Sequence, residues 1–355
     1  MSISGIADAQ TPGLPASPAI YLNQSGFYPK APKIAVIASN KLQKFSILSI
    51  NKRVVFTGQT KAAAHPDLSG DSTCIADFTT LQQPGKYMLQ ITGGERSYPF
   101  TISAKIHREV AAAAIKGFYY QRASVALPPT YAGKWNRTAG HPDNIVIIHP
   151  SAATDVRPAG TIISSPRGWY DAGDYNKYIV NSGISMGTLL SLYEDFPAYN
   201  RSAHLNIPES GDKVPDLLNE IVWNLRWMLT MQDPADGGVY HKLTNAVFDW
   251  MIMPDKAVAP RYVVQKGTAA TLDFAAVMAQ ASRIFNNYNR QLPGLADSCM
   301  SAAANAWHWA IANPGVAYDQ NLMNTKFKPA VVTGDYGDNY FADEFTWAAA
   351  ELYIT

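Results

Sequence analysis

Two aspartates separated by an Ala-Gly step carry the clearest chemical signal in this chain. They are Asp171 and Asp174, in the string Gly168-Trp169-Tyr170-Asp171-Ala172-Gly173-Asp174-Tyr175-Asn176-Lys177-Tyr178. Neighbouring carboxylates perturb one another's proton affinity, so a pair of them can divide acid and base work. The aromatic rings on both sides suit the apolar face of a sugar ring. By itself the spacing also fits a calcium loop or a capped turn. A second acidic stretch, Gly334-Asp335-Tyr336-Gly337-Asp338-Asn339, runs into Asp343 and Glu344. Closely spaced oxygen ligands on a loop leading into a helix suit calcium, and a solvated helix N-terminus that favours acids is the alternative.

These loops need a frame. From Ile20 to about Ile102, short strand-like runs alternate with turn signals. Ile34–Ala38, Phe45–Ile50, Val54–Phe56 and Tyr87–Ile91 read as strands, and Asn51-Lys52, Pro84-Gly85 and Gly93-Gly94 as turns. The pattern predicts an immunoglobulin-like β-sandwich over residues 19–103, preceded by a flexible leader, residues 1–18. The texture changes after Ser103. Helices are expected over 105–122 and near 183–196, 216–232, 268–287, 299–312 and 342–354, separated by long loops rich in Gly, Pro, Asp and aromatic residues. Without strand alternation, residues 104–355 read as an all-α toroid and not as an α/β barrel. The domain boundary is expected between Ile102 and Arg108.

Composition limits the partners. Hydrophobic residues make up 47% and charged residues 16%, as in a globular chain with a sizeable core. Lys plus Arg number 29 against 28 Asp plus Glu, so no strong field exists to hold nucleic acid or an anionic membrane. A neutral polymer such as a polysaccharide fits better. No apolar run approaches the ~18 residues of a membrane helix. Cys74 and Cys299 fall in different expected domains and read as two buried thiols rather than a disulfide.

The string around Asp171 and Asp174, with Arg167 before it, resembles the signature of glycoside hydrolase family 9, the inverting cellulases. Further blocks match in order: Pro215–Glu220, Met231–Lys242, Ala259–Val263, Thr268–Ala276 and Ala342–Tyr353. The opening Tyr21–Phe27 resembles the first strand of the immunoglobulin-like module in one branch of that family. The resemblance implies an (α/α)6 barrel, of which about half is expected here, and hydrolysis of β-1,4-glucosidic bonds in cellulose or related β-glucans. An exo-acting glucosidase or glucosaminidase and a non-catalytic glycan-binding remnant are the alternatives. It further implies a secreted or periplasmic enzyme, monomeric at full length, although no signal peptide is visible.

Inversion needs a base on one side of the sugar and an acid on the other, roughly 6.5–9.5 Å apart to admit a water. Asp171 and Asp174 on one tight turn stand too close for that division and would share the base side. By the resemblance, Asp174 is the base and Asp171 helps hold the water. Lys177 is expected to supply positive charge to both. The general-acid glutamate has no counterpart in these residues and is expected beyond Thr355. The resemblance places His241 at the sugar-binding cleft. Trp169, Tyr170, Tyr175, Tyr178 and Trp250 are stacking platforms or core, with Trp169 and Tyr178 expected beneath the loop. Tyr336 is the better cleft candidate. Family members carry calcium at a site resembling Asp338, Asp343 and Glu344. Members of the immunoglobulin-bearing branch often hold zinc with two cysteines and a histidine. Here Ala123 and Gly140 stand where the thiolates would be and only His141 is kept, so zinc is not expected.

Overall fold

The computed structural model describes residues 19–63 and 72–355. The expected leader, residues 1–18, lies outside them. The chain divides into two compact units, Met1–Ala111 and Ala112–Thr355.

The first unit is built from β1 (Ile20–Leu22), β2 (Ile34–Ala38), β3 (Lys44–Ser49), β4 (Val54–Gln59), β5 (Lys61–Ala62), β6 (Thr73–Asp77), β7 (Gly85–Ile91) and β8 (Phe100–Ile102). They form two four-stranded sheets, ordered β1-β2-β6-β5 and β4-β3-β7-β8, with antiparallel neighbours throughout. Alternate residues point inward, as the two-residue period of a strand dictates. Ala35 and Ile37 of one sheet and Phe45, Ile47 and Leu89 of the other enter one core. Phe27, Phe78 and Phe100 meet there at ring-centroid distances of 5.2–5.6 Å.

The second unit carries α1 (Arg108–Tyr120), which begins before the division, then α2 (Pro129–Ala132), α3 (Ile179–Asp195), α4 (Pro197–Ser202) and α5 (Asp216–Thr230). α6 (Thr268–Phe285), α7 (Leu295–Ala312), α8 (Gln320–Lys326) and α9 (Ala342–Ile354) follow. The six longer helices lie where periodicity predicts them. On α5, Leu217, Leu218, Ile221, Val222, Leu225 and Met228 recur at three- and four-residue steps, and all are buried. α6 is buried at every residue but Arg283 and packs among α3, α7 and α9.

One sequence expectation needs correction. The second unit is not all-α. Loop segments pair into a five-stranded sheet of β9 (Val146–Ile148), β10 (Ile162–Ile163), β11 (Lys177–Tyr178), β12 (Lys242–Asn245) and β13 (Arg261–Val263), in the order β10-β9-β13-β12-β11. Strands of two to four residues, most of them buried, have no room to alternate, so no period-2 pattern marks them. The two compact units part inside α1, between Ala111 and Ala112. Ile106 lies against Gly26, and the His107 ring meets Tyr28 edge-on at 4.9 Å, so the residues entering the helix pack with the first unit.

Candidate active site

The Asp171–Asp174 loop hangs between β10 and β11. It starts at Gly168, whose φ is +83° and whose hydrogen, replaced by a Cβ, would stand 2.8 Å from the Trp227 ring on α5. Only glycine meets both demands. Trp169 follows and is buried, its indole N–H donating to Glu220 at 2.8 Å. The loop closes where the Asp171 amide donates to the Asn176 carbonyl at 3.0 Å. Tyr175, at φ +60°, takes a left-handed conformation that costs a non-glycine residue about 1–3 kcal/mol. Arg261 holds it there by donating to the Tyr175 carbonyl at 2.9 Å.

Beneath the loop lies a buried ion cluster. Asp143 pairs with Lys177 at 2.8 Å and with Arg261 at 3.2 Å. Burial opposes the Asp143 charge, but the two cations outweigh it and hold its carboxyl below the usual range. Lys177 therefore does not serve the loop aspartates as expected. Its ammonium points away, to Asp143 and to the carbonyls of Ser165 and Arg167. Alternation along β11 sends consecutive side chains to opposite faces, so Lys177 goes under the sheet and Tyr178 goes to the aspartates.

The two carboxylates are brought together and individually held. Asp171 accepts from Asn181 at 2.7 Å and from the Tyr336 hydroxyl at 3.0 Å. Asp174 accepts on Oδ2 from the Tyr178 hydroxyl at 2.7 Å and from Asn176 at 3.0 Å. Its Oδ1 is buried and accepts nothing among the described residues. The rings of Tyr178 and Tyr336 meet edge-on at 4.7 Å, so the two phenols form one unit over the pair. The nearby cation is Lys242, which stands opposite Tyr178 in the β11–β12 register. Burial pushes its amine down to about 7, while Asp335 and Asp174 pull the other way.

Asp171 also borders two cavities. One, about 340 Å³, is lined by Phe118, Trp169, Tyr170 and Tyr178 among others. The second, about 490 Å³, is lined by Asp273, Tyr336, Asp338 and Glu344. Volumes of this order hold small ligands. Asp273 on α6 is buried and accepts no hydrogen bond among the described residues. Burial first, then Glu344, Asp343 and Asp338, raise its pKa well above the carboxylate range. Burial and the neighbouring acids likewise raise Glu344, to about 7, and its Oε2 is buried without a partner.

The remaining candidates scatter. Tyr336 sits over the aspartates, half exposed. Tyr170 is buried, its hydroxyl 2.9 Å from His141 Nδ1, so little of its face is open to a sugar. His141 is pushed down to about 4, chiefly by burial. His241 is 1% exposed, stacked on Tyr318 at 3.9 Å, with Nε2–H donating to the Asp335 carbonyl. It is a packed residue that touches the loop bearing Tyr336 rather than a cavity wall. Trp250 lies on an outer loop, 87% exposed and lining neither cavity. That loop joins the aspartate loop through the Tyr175 hydroxyl, which donates to the Ile252 carbonyl at 2.5 Å.

Asp338, Asp343 and Glu344 fit a cation in charge but not in arrangement. Among the described residues no group of three or more His, Cys, Asp or Glu side chains converges as metal ligands would. Asp343 and Glu344 are consecutive in the first turn of α9, and consecutive helical residues do not face a common point. Sequence reasoning also missed Asn181, Asp143 and Asp273. No local pattern marks them, since their partners come from other elements.

With this geometry in hand, comparison with known proteins identifies the class. Residues 107–355 match the glycosyl hydrolase family 9 model, and residues 15–96 match the cellulase N-terminal ig-like domain. The chain belongs to glycosyl hydrolase family 9. It is similar to a xyloglucan-specific endo-β-1,4-glucanase of Bacteroides ovatus, with 50% identity across 99% of this chain and 60% of the relative. It is also similar to endoglucanase D of Acetivibrio thermocellus, with 32% identity across 95% of this chain and 51% of the relative. A solved family 9 structure from Bacteroides ovatus superposes with a TM-score of 0.91, covering 95% of this chain and 61% of that one, at 50% identity. The chain thus spans between half and two thirds of the length of these relatives.

Proposed function

We propose that this chain is the base-carrying part of an inverting β-1,4-glucan hydrolase with an (α/α)6 barrel. Asp174 acts as the general base and Asp171 holds the attacking water. The observation that carries this reading is the asymmetry of Asp174: two donors fix Oδ2, and Oδ1 is left unpaired to take a proton. Asp171, held by Asn181 and Tyr336 at the mouth of both cavities, is suited to orient that water between loop and sugar. A neutral β-glucan agrees with the balanced charge, and xyloglucan is the first polymer to try because the 50%-identical relative is named for it. Tyr336 and Trp250 are exposed aromatic surfaces suited to a sugar. Among the described residues no helix is long and apolar enough to cross a membrane, which is compatible with an enzyme acting on polymer outside the cell.

The acid is the half of the reaction that Asp171 and Asp174 do not supply. Glu344 borders the same cavity as Asp171 and holds its proton toward neutral pH, yet its acidity is set by the crowd of carboxylates that a bound calcium would offset. We therefore leave it on the calcium side, with Asp338 and Asp343. The test is hydrolysis of xyloglucan and carboxymethyl glucan by the purified chain, with the anomer of the product read by NMR. Retention at the anomeric carbon would refute the mechanism. Robust turnover lost in Glu344→Gln would move the acid role to Glu344.

A further inference from the structure

We infer that Lys242 is a positioning residue for the aspartate pair: its ammonium clamps the Thr333–Tyr336 segment so that the phenols of Tyr178 and Tyr336 are held on Asp174 and Asp171. The inference rests on the reading of those aspartates as the base side.

Lys242 lies on β12 and is completely buried. A buried ammonium is costly unless its donors are matched. Here all three have acceptors: the Gly334 carbonyl at 2.6 Å, Gln320 Oε1 at 2.6 Å and Thr333 Oγ1 at 3.2 Å. Those acceptors come from α8 and from the segment that ends at Tyr336. Gln320 in turn donates to the Thr333 carbonyl at 2.8 Å, and Thr333 shares a hydrogen bond of 2.7 Å with Thr244, so the ammonium sits in a closed network.

The network leads directly to the aspartates. Gly334, whose carbonyl Lys242 binds, donates its own N–H to the Tyr178 hydroxyl at 3.1 Å. That hydroxyl donates onward to Asp174. Two residues later the same segment presents Tyr336 to Asp171. Lys242 also stands over the Tyr178 ring, 5.6 Å from its centroid, and over Tyr318 at 5.3 Å. The adjacent His241 pins the Asp335 carbonyl of the same segment. Gly334 has no room for a side chain, because a Cβ there would lie 2.6 Å from Tyr336 and 3.0 Å from the Tyr178 hydroxyl. One lysine therefore fixes the backbone from which both phenols take their positions, without touching either carboxylate.

The experiment has two arms. In the first, 13C-tyrosine NMR of the whole chain needs no turnover. Signals of Tyr178 and Tyr336 are assigned with single Tyr→Phe variants. Lys242→Met, which keeps the stem and removes the ammonium, is expected to shift or broaden both signals while leaving unchanged Tyr193 on α3 and Tyr288 just after α6, whose hydroxyls share a 2.6 Å hydrogen bond with each other. Thr333→Val removes a single acceptor and is expected to move the same two signals by less, which keeps the test open if Lys242→Met folds poorly. Unmoved Tyr178 and Tyr336 signals in a folded Lys242→Met protein would overturn the inference. In the second arm, β-glucan hydrolysis by Lys242→Met is expected to lose about 10²-fold in kcat with KM little changed, as for a misplaced reacting group. Adding Tyr336→Phe to that background is expected to cost little more, because the two changes act through one contact. Fully additive losses, or a loss confined to KM, would overturn it. Turnover with retention sinks the proposed function, whereas a chain without turnover fits a base side that lacks its acid; in either case the NMR arm decides the clamp alone.

Discussion

Two groups of carboxylates meet at one cavity, which Asp171 borders from one side and Asp273, Asp338 and Glu344 from the other, and they are treated in opposite ways. Asp171 and Asp174 each accept two side-chain hydrogen bonds, with a buried lysine nearby. Asp273, Asp338, Asp343 and Glu344 crowd one another with no cation among the described residues to offset them, and Asp273 and Glu344 are driven toward holding protons. The first group is held by neutral donors. The second gathers charge of one sign that a bound cation would offset. A carboxylate's neighbours, and not its residue type, decide which role it can take.

The largest effect should come from breaking the first group at its functional atom. Asp174→Asn keeps the shape and removes the proton acceptor. Turnover on β-glucan should fall by roughly 10²–10⁴-fold, with cello-oligosaccharide affinity by calorimetry nearly unchanged. Asp171→Asn should impair turnover by loosening control of the water. An Asp174→Asn protein as active as wild type would remove the contrast altogether.

The frame beneath that group is tested by Asp143→Ala. It leaves Lys177 and Arg261 buried without their shared counter-ion, and removing one partner of such a cluster costs about 3–5 kcal/mol. Urea denaturation should show that loss, and Tyr175 should leave its left-handed conformation in a crystal structure of the variant. A change below 1 kcal/mol would mean that the cluster does not support the loop.

The second group should announce itself through pH and calcium. Glu344, with a folded pKa of about 7 against 4.5 for the ordinary side chain, binds more protons folded than unfolded. The stability it contributes is present below about pH 4.5 and lost as pH rises through about 7. Asp273 acts in the same direction. His141, lowered to about 4, works the opposite way, since its stability is lost as pH falls from 6.5, so the comparison must be with a variant. Relative to wild type, Glu344→Gln should flatten the fall in melting temperature between pH 5 and 7. Millimolar calcium should raise the wild-type melting temperature, by the ligand-linkage relation, and raise that of Glu344→Gln less. Equal calcium responses in the two proteins would remove Glu344 from the cation site.

The smallest effect on the fold should be at Trp250. Its 87% exposure implies that Trp250→Ala changes stability by no more than about 0.5 kcal/mol. Polymer affinity should weaken all the same, measured by affinity electrophoresis in xyloglucan. Unchanged mobility would remove Trp250 from the sugar-binding surface and leave Tyr336 as its candidate.

How much of this was legible beforehand differs between residues. The Val110–Ile115 run, the α5 periodicity and the strand runs from Ile34 to Ile91 announced their elements, because helix and strand periods are local. Asp171 and Asp174 announced themselves because their spacing and aromatic flanks lie within one short string. Trp169 and Tyr178 were expected beneath the loop, and both are buried. The five-stranded sheet was not visible, since it joins β9 to β13 across more than a hundred residues and each strand is too short to show a period.

The sequence by itself determined the division into a β-rich and a helix-rich part, and the presence of two carboxylates that a turn would bring together. Only the tertiary structure decided which lysine lies near them. Lys177 is their neighbour in sequence and faces Asp143, while Lys242 comes close from another strand because the β11–β12 register sets it opposite Tyr178. Tertiary structure alone also brought Asp273 from α6 to the acids of α9. The physical reason is range. Backbone preferences act over a few residues, whereas burial and charge act over a few ångströms, between residues that the chain may hold far apart in sequence.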